Sequence, residues 1–371
     1  MVTPDGRPDR TLPTPLRIVP LVLGILALLA GLWAGLWRLG WHLPVPSGAL
    51  PLAHGPLMVS GFLGTLISLE RAVALKKIRT FAGPVCSGLG ALLLVLGLRT
   101  MAGPLGILLG SGVLSVIFLV LFWQEPELHY AIMGVGADLW LIGNLLWIRG
   151  FGIPQVVPWW MGFLVLTIAG ERLELNRLLQ LTGGVRMLFL AATGGLVVAL
   201  FLSLWQFDLG VRLAGVALAG LATWLVRYDM ARRSLGQEGL ARFIAVAMVT
   251  GYFWLGAAGI LGIWQGGVTA GYFYDAFLHA VFVGFVFSMI FGHAPVIFPA
   301  VLRLPIAFRS SFYLPLFLLH LSLAVRVAGD LLAMPALRMW GGLFNAVAIL
   351  LFLYNTIAAV LDQKFDSGQT A

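Results

Sequence analysis

Twelve apolar runs of about 20 residues recur along this 371-residue chain, separated by short connections. A run of that length crosses the roughly 30 Å hydrocarbon core of a bilayer as an α-helix. Because that core holds no water, backbone N–H and C=O groups must bond within their own segment, which leaves helices as the solution. The sequence therefore predicts an all-α, polytopic membrane protein. Its spans fall near 18–38, 49–70, 82–98, 102–122, 129–148, 156–178, 185–205, 209–226, 241–263, 272–298, 312–332 and 338–361. They form a single twelve-helix membrane domain over 18–361, between tails at 1–17 and 362–371. Composition agrees, with 60% apolar and 10% charged residues where soluble domains carry about 25% charged. A soluble enzyme and a disordered chain are excluded, and the lipid bilayer is the first partner. The net charge of +8 does not indicate nucleic acid, because the basic residues sit in short loops between apolar runs.

Those loops set the orientation. Of 23 Lys and Arg, seventeen lie in the N-terminal segment, alternate loops and the C-terminal tail. They are Arg7, Arg10, Arg17, Arg71, Lys76, Lys77, Arg79, Arg172, Arg177, Arg186, Arg227, Arg232, Arg233, Arg242, Arg303, Arg309 and Lys364. Only Arg38, Arg99, Arg149, Arg212 and Arg338 lie in the opposite loops, and Arg326 lies within a span. The positive-inside rule then places both termini in the cytoplasm, as expected of a multi-pass protein in a bacterial-type cytoplasmic (inner) membrane. No small-residue cleavage site follows the first run, which reads as a retained helix. The single cysteine, Cys86, excludes an intramolecular disulfide framework.

Spans two, six and ten share a pattern. They read GFLGTLISLERA from Gly61, GFLVLTIAGERL from Gly162 and GFVFSMIFGHAP from Gly284. Nine positions after each Gly come Glu70, Glu171 and His293, and the first two copies continue with Arg71 and Arg172. Ionisable residues near a bilayer are costly and rare, so the repeated Glu-Arg is informative. A repeat every fourth span suggests three four-helix units about a pseudo-threefold axis. Adjacent helical residues point about 100° apart, so the Arg of one unit is expected to face the Glu of another. The result is a charged ring of Glu70, Arg71, Glu171 and Arg172, with His293 in the third Glu position.

Six histidines exist, and His42 falls in a loop. His54 lies about 8 Å below the start of span two and His279 about 10 Å below the start of span ten, at one depth. His293 is fourteen residues beyond His279, roughly 21 Å away, and belongs with His129 and His320 in the other half. His293 and His320 form a candidate second metal site. Two neutral imidazoles at one depth on separate helices suit the axial positions of an iron porphyrin, and Gly55, Gly61, Gly64 and Gly284 would admit a flat macrocycle. The alternative is a pair of hydrogen-bonded structural histidines. No CxxCH motif exists, so any haem is held non-covalently.

The segment AHGPLMVSGFLGTLISLERAV around His54 resembles the second helix of the haem–copper oxidase catalytic subunit, and DAFLHAVFVGFVFSMIFGHAPVIFPAVL around His279 resembles its tenth. The resemblance implies His54 and His279 as the axial ligands of one haem b, in a twelve-span fold. The NnrS family, distant relatives of those oxidases linked to nitric oxide stress, is also similar. Its pattern matches His54 with Gly61–Phe62 and His279 with Gly292–His293. Where the oxidases carry a further His in the tenth helix this chain has Phe277, and spans six and seven contain no His. The dinuclear oxygen-reducing centre is therefore absent. The resemblance implies a redox, electron-transfer or nitric-oxide-related role with a quinol or cytochrome as electron donor; copper occupancy, catalysis and oligomeric state are left open.

Other residues carry chemistry too. Asp138 sits midway through span five, with Asn144 beyond it, either as a proton-path residue or as a hydrogen-bonded packing acid. Arg326 and Asp330, four apart, are expected to pair along span eleven, with a haem propionate as the other partner for Arg326. Trp33, Trp37, Trp41, Trp159, Trp160 and Trp264 fall at span ends as an interfacial belt. Two rival functions use the same scaffold. One is a transporter or channel with Asp138, Glu70 and Glu171 in a polar path, against which the direct repeat argues; the other is a membrane partner of a respiratory complex. The missing histidines predict that membranes containing only this protein and a reduced quinol or cytochrome consume no oxygen above background in an oxygen-electrode assay. Cyanide-sensitive consumption would contradict that reading.

Overall fold

The structure, a computed structural model, describes residues 14–368 except 46, 99, 180 and 303–307. Arg7, Arg10, Arg99 and Arg303, used above for orientation, lie outside the described residues. Twelve helices long and apolar enough to cross a membrane follow one another, each overlying one expected span. They are α1 (Pro15–Arg38), α2 (Leu50–Leu75), α3 (Ile78–Val95), α4 (Ala102–Gln124), α5 (Leu128–Ile148), α6 (Ile153–Leu175), α7 (Gly183–Leu202), α8 (Phe207–Tyr228), α9 (Gly239–Gln265), α10 (Gly271–Pro299), α11 (Ser310–Leu331) and α12 (Pro335–Leu361). No strand occurs among the described residues. The first helix begins at Thr14 and the last runs to Gly368, so helix enters both segments read as tails. The chain is an all-α, multi-pass membrane protein.

Short connections make sequential helices neighbours, and α12 returns to pack on α1, closing the bundle. The three helices that share the repeat are also the three most deeply buried: 83% of the apolar window of α6 lies inside, 67% of α10 and 61% of α2. Phe62 of α2 stacks on Phe287 of α10, and α6 packs on the same stretch of α10. The repeat thus marks the interior helices, which carry small residues where helix backbones approach closely.

One set of buried polar groups is satisfied across four helices. Asn144 is fully buried; its amide donates to Ser111 Oγ (3.1 Å) and its carbonyl accepts from Trp160 Nε1 (3.0 Å). Trp140 Nε1 donates to Ser60 Oγ (2.9 Å). This network ties α2, α4, α5 and α6 together, and the surrounding hydrocarbon strengthens the need for each bond. It also corrects the expected belt. Trp33, Trp37 and Trp264 are exposed, but Trp159 and Trp160 are fully buried, Trp160 because its N–H completes Asn144.

Both histidine-bearing helices depart from α-geometry at the same place. π-Helix spans Leu57–Gly64, three residues after His54, and Ala280–Phe287, directly after His279. π-Turns inside α-helices occur often at functional sites, where they re-aim a side chain. Gly64 ends the first of them with the Trp140 ring lying where its Cβ would stand. Gly64→Val should therefore overpack the α2–α5 contact and lower stability by about 1–3 kcal/mol. Gly112→Ala, at a position with only Leu141 nearby, should leave the melting temperature in detergent within a degree or two of the parent. Equal melting of all three proteins would contradict this packing.

Candidate cofactor site between two histidines

His54 and His279 face one another. Their ring centroids are 6.3 Å apart and their planes 21° from parallel. Each is held through Nδ1 on a main-chain carbonyl: His54 on Gly31 O of α1 (2.8 Å) and His279 on Asp275 O one turn back (2.9 Å). With a proton on Nδ1 donated to the carbonyl, each Nε2 carries a lone pair. Among the described residues no protein group bonds either Nε2. Gly35 of α1 makes the first anchor possible, since a Cβ there would fall 2.8 Å from the His54 ring.

The spacing can be compared with a metal bound from both sides. A metal–imidazole bond is about 2 Å. A five-membered ring with bonds near 1.33 Å has its centre about 1.1 Å behind each atom. Two imidazoles in trans on one ion would then have centroids about 6.3 Å apart, the separation found here. The other ring nitrogen of a ligating histidine usually donates to a carbonyl or carboxylate, and both do so here.

A cavity of about 570 Å³ surrounds the pair, within the range of cofactor sites. Its walls are apolar, including Leu32, Leu36, Met58, Phe282 and Ile349, and Gly35, Gly55 and Gly342 lie along it. Of the glycines expected to admit a macrocycle, only Gly55 lines this space. Gly61 instead receives Ala27 and Ala91, Gly64 receives Trp140, and Gly284 receives Trp254. One end of the cavity is charged, with Arg38, Arg326, Arg338 and Asp275. Arg326 grips Asp275 with two bonds, Nε at 2.9 Å and Nη2 at 3.0 Å. The expected Arg326–Asp330 pair does not form. A planar carboxylate on α10 takes the guanidinium fork in bidentate geometry, which the helix neighbour cannot match. Asp330 is fully buried and meets Arg338 at 3.0 Å, a contact poorly aligned for a hydrogen bond. Arg38, at the exposed rim, has no acidic partner among the described residues. Two imidazoles whose Nε2 atoms bond no described group, apolar walls and three arginines in one cavity could hold a flat cofactor that carries carboxylates.

The other expected residues lie elsewhere. His293 bonds Met289 O through Nδ1 (2.8 Å), and His320 Nδ1 accepts from Trp254 Nε1 (3.0 Å). No contact among the described residues joins those two histidines. Among the described residues no group of three His, Cys, Asp or Glu could hold a metal. His129 is buried against Tyr130, with Glu174 at 3.9 Å. Asp138 is exposed on the outer face of α5, away from Glu70 and Glu171, so these three acids line no common path.

The inter-repeat charge pair forms, in part. Arg71 of α2 donates to Glu171 of α6, with Glu70 at 3.8 Å. Arg172 departs from the expected ring: it binds Asp229, after α8, through Nε (2.9 Å) and Nη2 (3.0 Å). Asn176 also donates to Asp229, at 3.3 Å. Bidentate geometry again decides the partner. No hydrogen bond or ion pair joins His293 to these residues among the described ones; its bond is to Met289 O. Asp229, Asp275 and Arg338 escaped the sequence reading. A lone acid among Arg227, Arg232 and Arg233, and an Asp four residues before a histidine, were the available signals.

Asp229 is fully buried and Arg172 nearly so, whereas Arg71 and Glu171 retain 15% and 21% exposure. Removing one member of a buried pair costs about 3–5 kcal/mol. Asp229→Asn should therefore lower thermal stability by that amount and Glu171→Gln by less, as read by melting in detergent. Equal losses, or none, would contradict the assigned pairs.

A family model described as a domain of unknown function (DUF8744) matches residues 17–361, nearly the whole chain. No curated protein matches it.

Proposed function

As a member of the DUF8744 family, this chain is, we propose, a haem-binding membrane protein in which His54 and His279 supply both axial nitrogens to one non-covalently held haem b. The observation that carries the reading is the 6.3 Å separation of the two nearly parallel imidazoles, with both Nδ1 atoms engaged and both Nε2 atoms unbonded among the described residues. In this reading the protein is NnrS-like, a distant relative of the haem–copper oxidase catalytic subunit, in a bacterial-type cytoplasmic membrane with both termini inside.

A haem held there supplies reversible one-electron chemistry. The chain's own contributions are separate from it. Gly31 O and Asp275 O fix each imidazole as the Nδ1–H tautomer and leave each Nε2 lone pair free for a ligand. The apolar walls exclude water, and Arg38, Arg326 and Arg338 offer guanidinium donors to carboxylates at one end. Were both His54 and His279 to hold the iron, no position would be left open for a gas, and the centre would carry electrons in preference to binding gas. A quinol or a cytochrome fits as donor, and a nitric-oxide-related role would then require a second component.

The test is the reduced-minus-oxidised visible spectrum of detergent-purified protein. A low-spin b-type spectrum with about one haem per chain is expected. His54→Ala or His279→Ala should abolish it, while His42→Ala, at an exposed loop position, should not. Folded protein lacking haem after expression in a haem-replete host, or a spectrum indifferent to both histidines, would contradict the proposal.

A further inference from the structure

Asp138 lies ten residues from each end of α5 (Leu128–Ile148), about 15 Å from either end. Its side chain is exposed and makes no hydrogen bond or ion pair with any described residue. Val135, Ile142 and Leu145 share its helical stripe, and Val135 and Leu145 are exposed as well. A groove of about 640 Å³ runs along α4, lined by Leu109, Gly112 and Val116, with Lys77 and Arg79 from around the start of α3 also in its lining, and it meets α5 at Leu141. Leu141 is one turn along from Asp138.

The other deep charges in this protein are spent inside the bundle, as Arg326–Asp275, Arg172–Asp229 and Arg71–Glu171. Among the described residues, Asp138 alone is a charged side chain exposed at mid-helix. Its side chain is too short to reach the interface as lysine or arginine does. In hydrocarbon an ionisable group is retained against a cost and pairs with something. We propose that the α4–α5 face docks a transmembrane helix of a different polypeptide, one carrying a basic side chain at mid-bilayer depth to pair with Asp138. Charge complementarity selects that occupant over a second copy. A twofold contact through this face would set carboxylate against carboxylate, and no exposed basic residue lies at mid-helix elsewhere among the described residues. The groove beside the stripe supplies the apolar contact that helix association in lipid also needs.

The experiment reconstitutes the full chain, labelled with a fluorophore, in lipid vesicles with 21-residue Leu/Ala transmembrane peptides bearing Arg, Leu or Asp at the centre. Energy transfer to the labelled peptide reads association. The Arg-centred peptide should associate about 10-fold more tightly than the Leu-centred one. Asp138→Leu should bring that ratio to one, and Asp138→Asn, which keeps the side-chain shape and the fold, should lower it without changing the visible spectrum. Equal association of the Arg and Leu peptides with the parent protein would overturn the proposal. So would Asp138-dependent self-association of the protein without peptide, which would assign the face to a second copy.

Discussion

In hydrocarbon a peptide group has nothing to bond but its own helix, and this requirement shapes nearly everything in the protein. It fixes the twelve helices and leaves few free backbone acceptors. The exceptions are therefore informative. Gly31 O of α1 accepts the His54 imidazole as well as belonging to its helix, and Asp275 O does the same for His279. Each histidine is followed by a π-helical stretch, where the backbone ladder changes register and the helix widens. Two side chains on different helices come within 6.3 Å, ring centre to ring centre, and line one cavity.

Charge follows the same economy. Arginines that would be untenable in lipid are gripped by carboxylates from other helices, so each ion pair also fixes a helix–helix relationship. Arg326–Asp275 holds α11 to α10 beside the histidine pair. Arg71–Glu171 holds α2 to α6, and Arg172–Asp229 holds α6 to the segment after α8. The first therefore stabilises the wall of the cavity, and the others bind interior helices at the end from which the repeat's Glu-Arg pairs project. An exposed acid at mid-helix, Asp138, stands outside this scheme. No described group of the chain itself completes its environment.

Much of this was legible in the sequence. Apolar run length gave all twelve helices with ends within about five residues, because span length is set by bilayer thickness. Depth counting at 1.5 Å per residue brought His54 and His279 to one level, and the Glu-Arg repeat anticipated the Arg71–Glu171 contact. What a sequence cannot carry is azimuth. The stripe that puts Asp138 outward and Trp159 inward depends on how α5 and α6 are rotated against their neighbours. In helices apolar on every side, no amphipathic moment reports that rotation. Partner choice was hidden for a related reason. Arg326 had Asp330 four residues away, yet Asp275 from another helix offers the better bidentate geometry.

The central claim is that two nearly parallel imidazoles bind one iron from opposite faces. The electron paramagnetic resonance spectrum of the oxidised, purified protein reads ring orientation directly, since the anisotropy of a low-spin ferric centre depends on the angle between its axial ligand planes. An interplanar angle of 21° predicts a rhombic low-spin signal from the parent protein, lost in the His54→Ala and His279→Ala variants. A purely high-spin signal, or the extreme anisotropy of perpendicular imidazole planes, would contradict the account.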